Sequence, residues 1–253
     1  MESARPRLLL VISLFGARAA CAGVSLDDFG GALALTSDDV YHGMSQTCGD
    51  PAAQGDVHYR SSGGHSPSEA FAGVWGSAGL GRSECGKARE LNLYAGYGFP
   101  TTDDSNATLT YTHYGYPGGA YTIGRLAGFR YDYDSLEAQW AWQDRVYLSV
   151  AWTPDALRYG YNHTVLRDRT AWSYGLQLRQ PLAGGFGLSA GLGYDQNADP
   201  FGTGFGFWSA GVDYAFGALQ LQLGYFGTSG RADRLFGAYV AGNRASVSLI
   251  WRF

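Results

Sequence analysis

The side chains in this 253-residue sequence that could do chemistry are dispersed. Asp56, His58, Arg60, Glu90, Asn92, Glu137, Gln139, Gln177, Arg179, Asp195, Asp213, Gln220, Gln222 and Arg252 each stand in a stretch where polar and apolar residues alternate. Among them are five carboxylates and three guanidinium groups. An arginine ladder would suit capture of anions or sugars. A mixed set suits a narrow, weakly selective polar passage, or an interior in which acids and bases satisfy one another. Hydrolysis at a lipid surface would need a Ser two residues from a His on one strand, so that the base can take the hydroxyl proton. His58 is followed by Tyr59 and Arg60, His113 by Tyr114 and Gly115, His163 by Thr164 and Val165, and His65-Ser66 fall in a turn. No catalytic or cofactor-binding residue is assigned, and the scattered histidines have no metal-ligand spacing. His58 reads as a polar lining residue.

The elements that must position these groups are strands. Past the first residues, alternating segments are separated by Gly, Pro, Asn and Asp clusters, the all-β pattern. The expected strands are Leu33 to Ser45, Gln54 to Ser61, Phe71 to Gly79, Glu90 to Phe99, Ala107 to Gly115 and Asp134 to Gln143. Six more follow: Val146 to Thr153, Trp172 to Leu182, Phe186 to Gln196, Phe207 to Phe216, Leu219 to Thr228, and a last one ending at Phe253. In Phe186 to Gln196, for instance, Leu188, Ala190, Leu192 and Tyr194 oppose Ser189, Gly191, Gly193 and Asp195. About twelve strands result, an even number. Connections two, four, six, eight and ten are short; the others are mostly longer and include Tyr116–Tyr133, Pro154–Arg169 and Gly230–Gly242. Short turns on one rim and long loops on the other are the pattern of an antiparallel up-and-down transmembrane barrel.

Composition agrees. Charged residues are 16%, aromatics 15%, and there are 38 glycines. Charge is well below the roughly 25% of a soluble domain, and no apolar run reaches the roughly 18 residues of a membrane helix. Trp75, Tyr97, Trp142, Trp152, Trp172, Tyr194, Phe216, Tyr225, Trp251 and Phe253 lie towards strand ends and are expected in interfacial girdles. Residues 1–22 read as a cleaved secretory signal, with Arg5 and Arg7, an apolar core from Leu8 to Phe15, and Ala20-Cys21-Ala22 before the cut; a lipid-modified Cys21 is the other reading. Its removal takes the net charge from −4 to −6 by deleting Glu2, Arg5, Arg7 and Arg18, which argues against a nucleic-acid partner. Residues 23–253 form one domain. Cys48 and Cys85 remain, on adjacent long connections, and are expected to form a disulfide.

At the end of the chain Ala245, Val247, Leu249, Trp251 and Phe253 share one face, and Ser246, Ser248, Ile250 and Arg252 the other. The aromatic ending resembles the terminal signal of bacterial outer-membrane barrels, with Trp251 and Phe253 addressed to the barrel-assembly machinery. This strand is expected to run inward and pair with the first strand.

Four ordered blocks carry a family resemblance. They are Leu35-Thr36-Ser37-Asp38-Asp39-Val40-Tyr41-His42-Gly43-Met44-Ser45-Gln46-Thr47, Pro51-Ala52-Ala53-Gln54-Gly55, Phe71 to Ser77 and Glu90 to Tyr97, and the likeness continues through the Tyr116-Pro117-Gly118-Gly119 loop. The chain resembles the TorF-type porins of proteobacteria, formerly the Gcw-type conserved hypothetical proteins. Asp39, Tyr41-His42 and Asn92 depart from the usual Tyr, Phe-Arg and Asp. The resemblance implies a Gram-negative outer-membrane barrel in contact with lipid, passing a small polar solute or ion. The alternatives are a non-conducting barrel that binds surfaces through its loops and, less favoured, a lipid-modifying enzyme.

Overall fold

The computed structural model describes all residues except 1–24, 62–67, 82–88, 118–120, 124–125, 130–131, 160–164 and 198–201. The signal segment, Cys85, His65, Ser66 and His163 therefore lie outside the described residues. Alternation of apolar and polar side chains builds twelve barrel strands. They are β1 (Phe29–Thr36), β2 (Ala52–Arg60), β3 (Glu69–Gly79), β4 (Arg89–Thr102), β5 (Ser105–Gly115) and β6 (Tyr133–Trp142). The second half comprises β7 (Val146–Tyr159), β8 (Val165–Pro181), β9 (Phe186–Gln196), β10 (Phe205–Phe216), β11 (Leu219–Thr228) and β12 (Arg244–Arg252). Each pairs antiparallel with its sequence neighbour, and β12 returns to β1 with Ala32 opposite Arg252 and Thr36 opposite Ser248. Closure removes both sheet edges, so every strand finds its backbone partners within the chain.

The seam extends one residue past β12. Gly31 N–H donates to the Phe253 carbonyl at 2.9 Å and Phe253 N–H donates to the Gly31 carbonyl at 3.1 Å. A Cβ on Gly31 would lie 2.7 Å from the Phe253 ring, so glycine is what lets that ring lie on the seam. The expected pairing of the two chain ends is thus present.

One face of each strand is apolar and open: Leu33, Leu35, Val57, Leu93, Leu136, Leu148, Leu178, Leu188, Leu192, Leu221, Leu223, Val247 and Leu249 are exposed. An open apolar band on a closed barrel is the lipid-facing surface of a transmembrane barrel. Aromatic pairs flank it. Trp251–Phe253, Phe186–Tyr214 and Phe29–Tyr59 lie at the inner rim, with ring centres 5.1, 4.7 and 5.5 Å apart. Trp152–Trp172 and Trp208–Tyr225 lie towards the other. Trp75 is not part of a girdle. It pairs across strands with Asp56 and Asn92, both inward-facing and buried, so it points into the barrel.

The inner turns are short where described: 103–104, 143–145, 182–185 and 217–218. Gln143 and Asp144 both adopt positive φ, 50° and 53°, as a tight hairpin with native strand twist requires. Four further sequence expectations need correction. The first strand ends at Thr36 instead of reaching Ser45, because the chain folds into the barrel there. The stretch Pro154–Arg169 is mostly strand, prolonging β7 and β8 beyond the rim. Residues 116–133 include a small ribbon, Tyr121–Ile123 with Leu126–Phe129. Residues 230–242 carry two short helices, α1 (Gly230–Phe236) and α2 (Ala238–Ala241).

Candidate functional site

The interior is built by the second face of each strand. Asp56, His58, Arg60, Glu90, Asn92, Glu137, Gln139, Gln177, Arg179, Asp195, Asp213, Gln220, Gln222 and Arg252 all fall on it by strand parity, and none is classed as exposed. They separate into three groups. Midway along β2, Asp56 accepts hydrogen bonds from the Tyr94 hydroxyl at 2.5 Å and, at its other oxygen, pairs with His58 Nδ1 at 2.6 Å. All three are buried, and Tyr94 lies flat over Gly73, where a Cβ would come within 2.5 Å of its ring. Two donors satisfy the carboxylate and tie β2 to β4, so His58 has a structural partner rather than a substrate-facing role.

At the inner rim, Gln220 donates to Asp213 at 2.8 Å and accepts from Arg252. The Arg179 guanidinium lies 5.3 Å from the Tyr147 ring centre, a cation–π contact. Arg60, lower on β2, pairs with Glu69 at 2.6 Å and stacks on Phe71. The inner part of the lumen therefore holds the three arginines. Carboxylates predominate further out: Glu90, bonded to Asn92 Nδ2 at 2.7 Å, and Glu137 and Asp195, which share one cross-strand row with Ala151 and Ser173 between them.

The most consequential element is the segment after β1. Val40–Tyr41 and Met44–Ser45 form a small ribbon with a tight turn at His42 (φ 48°) and Gly43 (φ 77°). Asp39 accepts from Ser77 of β3 at 2.5 Å, while His42 Nδ1 contacts Asp195 of β9 at 3.0 Å. β3 and β9 stand opposite one another in the ring, so the ribbon crosses the lumen as a bar. His42 is sandwiched between Tyr41 and Phe207, with ring centres 3.9 and 4.3 Å away. A Cβ on Gly43 would approach the Gly227 carbonyl to 2.5 Å, so only glycine permits this close approach to β11.

The bar is anchored by Asp38, which is 5% exposed. One oxygen accepts from Ser45 at 2.5 Å and Thr47 at 3.1 Å, and the other from Arg244 Nη1 at 3.1 Å. Arg244 also caps α2 through the carbonyls of Tyr239, Val240 and Gly242. The helices in turn close over Phe205 and Met44 in a small apolar cluster of Ala232, Ala241, Leu235 and Phe236. Burial raises the Asp39 carboxyl above its ordinary range, against the hydrogen bonds of Ser77 and Gln54. Cys48 is buried beside the bar; its expected partner Cys85 lies outside the described residues.

Sequence reasoning placed the lining residues on the polar faces but missed the bar. Asp38, Asp39 and His42 were visible only as part of a family block, and Arg244 only as one residue of the last strand. His113 faces outward, bonded with Tyr111 to Asp134 at 2.9 and 2.6 Å. β5 thus offers a base oriented by an acid of the neighbouring β6, with Tyr111 where a lipid hydrolase of the type considered would place Ser.

Over residues 20–250 the chain matches the family described as bacterial protein of unknown function (Gcw_chp). No curated protein matches it. Among solved structures, it is similar to a membrane protein from work on in-meso crystallization, at 14% identity and TM-score 0.58, covering 89% of this chain and 83% of that one. It is also similar to the KdgM porin, at 7% identity and TM-score 0.52, covering 88% and 99%. The KdgM porin in complex with disordered oligogalacturonate gives 7% and 0.50, covering 89% and 98%. At these identities the likeness is one of fold, the outer-membrane barrel.

Proposed function

The chain belongs to the Gcw_chp family, and from that membership and the barrel we propose that it is an outer-membrane channel for small polar solutes or ions. One observation carries this reading: the two halves of the interior differ in bulk. On β2 to β6 the inward face carries Gln54, His58, Trp75, Asn92, Tyr94, Tyr114 and Glu137. From β7 to β12 it is dominated by Ser149, Ala151, Ser173, Gly175, Ser189, Gly191, Ser209, Gly211 and Ser248, all partly open. Small side chains on one wall leave a polar passage beside the bulky one, and the bar narrows it. Mixed charge along the passage favours weak selection by size over capture of one solute.

In the same reading residues 1–22 are a cleaved export signal and 23–253 the mature barrel. The Cys48–Cys85 bridge would fasten the first outer connection to the second, which the disulfide-bonded state of Cys48 supports. Trp251 and Phe253, on the outward face at the end of the closing strand, are the contact offered to the barrel-assembly machinery. No catalytic residue is assigned. A second reading, a non-conducting barrel acting through its outer loops, is favoured by the bar and helices that cover the mouth. Purified protein in planar bilayers separates the two. Stepwise ion currents are expected, and an electrically silent protein that inserts normally would overturn the channel.

A further inference from the structure

We propose that the lipid-facing side of the outer rim carries a binding site for a phosphorylated lipid headgroup, held by Arg231 and Arg234 above the hydroxyl of Tyr194. The site lies outside the lumen, so it goes beyond the channel reading and does not depend on it. Its frame is the crossing from β11 into α1. There a cavity of about 340 Å³ is lined by Tyr194, Gly204, Gly206, Ser229, Arg231 and Arg234. Its floor faces outward: Tyr194 stands opposite Gly206, and it follows Leu188, Ala190 and Leu192 on the exposed apolar face of β9. A Cβ on Gly204 would come within 2.5 Å of the Tyr194 hydroxyl, so the bare glycine lets that hydroxyl rest on the floor. Ser229 N–H donates to the Gly206 carbonyl at 2.8 Å, and Gly206 N–H donates to Ser229 Oγ at 3.2 Å. These bonds fasten the start of α1 to β10. Ala232, Leu235 and Phe236 pack the helix against Phe205, which leaves Arg231 and Arg234, neighbours three residues apart, exposed on its surface.

Two guanidinium forks and a phenol present donors only from their side chains, and forked donors match the oxygens of a phosphate. Among the described residues no ion pair or hydrogen bond occupies either guanidinium. Asp233, the carboxylate between them, has its Oδ1 buried without a hydrogen-bond partner and pairs with neither. The chain as a whole carries a net charge of −4, so the attraction for an anion is local to this rim. The level also fits a lipid. Trp208, opposite Leu192, and Tyr225 form the outer girdle with ring centres 5.3 Å apart, and girdle aromatics sit at the headgroup boundary. Tyr194 lies one outward step above Leu192, which puts the arginines at the depth where basic side chains meet lipid phosphates. Below the girdle Ala190 pairs with Ala210, and Leu188 with Val212. The two exposed alanines leave a shallow lane in the apolar wall under the cavity, along which an acyl chain can lie. A free phosphate would use the arginines but not the lane, so the two features together favour a lipid.

The test uses the purified barrel in an uncharged detergent, with dioleoyl phosphatidic acid, dioleoyl phosphatidylcholine and inorganic phosphate as probes. Phosphatidic acid should raise the thermal midpoint by a few degrees. Phosphatidylcholine should leave it unchanged, and inorganic phosphate should raise it less than phosphatidic acid at equal concentration. The double variant Arg231→Gln, Arg234→Gln should lose the rise while still migrating on gels as a folded barrel. Ala210→Trp, which fills the lane, should weaken the effect of phosphatidic acid and spare that of inorganic phosphate. Native mass spectrometry of the same samples counts retained phosphatidic acid, a readout that a change in the variants' own stability does not move; retention should fall several-fold in the double variant. Equal retention of phosphatidic acid and phosphatidylcholine by the wild type, or retention undiminished in the double variant, would overturn the site. Inorganic phosphate matching phosphatidic acid, or an Ala210→Trp protein that responds to phosphatidic acid like the wild type, would overturn the assignment to a lipid. Ion current in planar bilayers bears on none of these outcomes, so the channel and the lipid site can fail separately.

Discussion

Arg244→Ala should release the bar from the lumen. Arg244 Nη1 pairs with Asp38 Oδ2 at 3.1 Å, with side-chain exposures of 11% and 5%. Removing one member of a buried pair and leaving the other charge costs about 3–5 kcal/mol. The other Asp38 oxygen keeps Ser45 and Thr47 as donors, so the lower end, about 3 kcal/mol, applies. At 1.4 kcal/mol per tenfold, that is roughly a 100-fold shift towards the displaced ribbon. The same substitution strips the carbonyls of Tyr239, Val240 and Gly242 of their donor, loosening α2 and its hold on the ribbon. The barrel strands lose no ladder hydrogen bond, so assembly should persist. Single-channel recording should show a larger or longer-lived open level, and limited proteolysis should cut residues 37–51 faster. Arg244→Lys, which keeps charge but not the forked contacts, should fall between. Unchanged current and unchanged protection of 37–51, in a variant that inserts normally, would refute the anchoring argument.

Two further predictions concern the passage and the seam. Ser209→Trp places a large ring on the small-residue wall, next to Gly191 and Phe226 in register; conductance should fall several-fold while heat-modifiable mobility on gels shows a folded barrel, and full conductance would mean that the passage lies elsewhere. Deleting Phe253 removes two seam hydrogen bonds and the ring over Gly31. Outer-membrane levels should drop, and Gly31→Val, which drives a side chain into that ring, should reproduce the defect; wild-type levels of both would remove the aromatic end from assembly.

Most of the barrel was legible in the chain because a strand between lipid and a polar lumen must alternate, and closure demands that all strands do so together. β9 and β11 have the bounds that alternation alone drew, and the pairing of β12 with β1 follows from having no tolerated free edge. Trp75 was misplaced because a single aromatic near a strand end has the same appearance whichever face it occupies; only the register against Asp56 and Asn92 orients it. The outward Tyr111–Asp134–His113 group escaped notice because its acid comes from the next strand.

The amino-acid sequence by itself determined that this is a closed membrane barrel, which faces of its strands are polar, and where the chain ends meet. Those properties are periodic and local, each residue's face being set by its neighbours. Tertiary structure alone decided what the polar faces enclose. The segment Ser37–Pro51 continues the alternation of β1 weakly, yet it leaves the sheet because Asp38 and Asp39 find their donors on Arg244 and Ser77, far away in sequence. Whether a polar residue lines a passage, locks two strands, or anchors a bar across the lumen depends on which distant side chain lies opposite it, and that is a property of the closed ring.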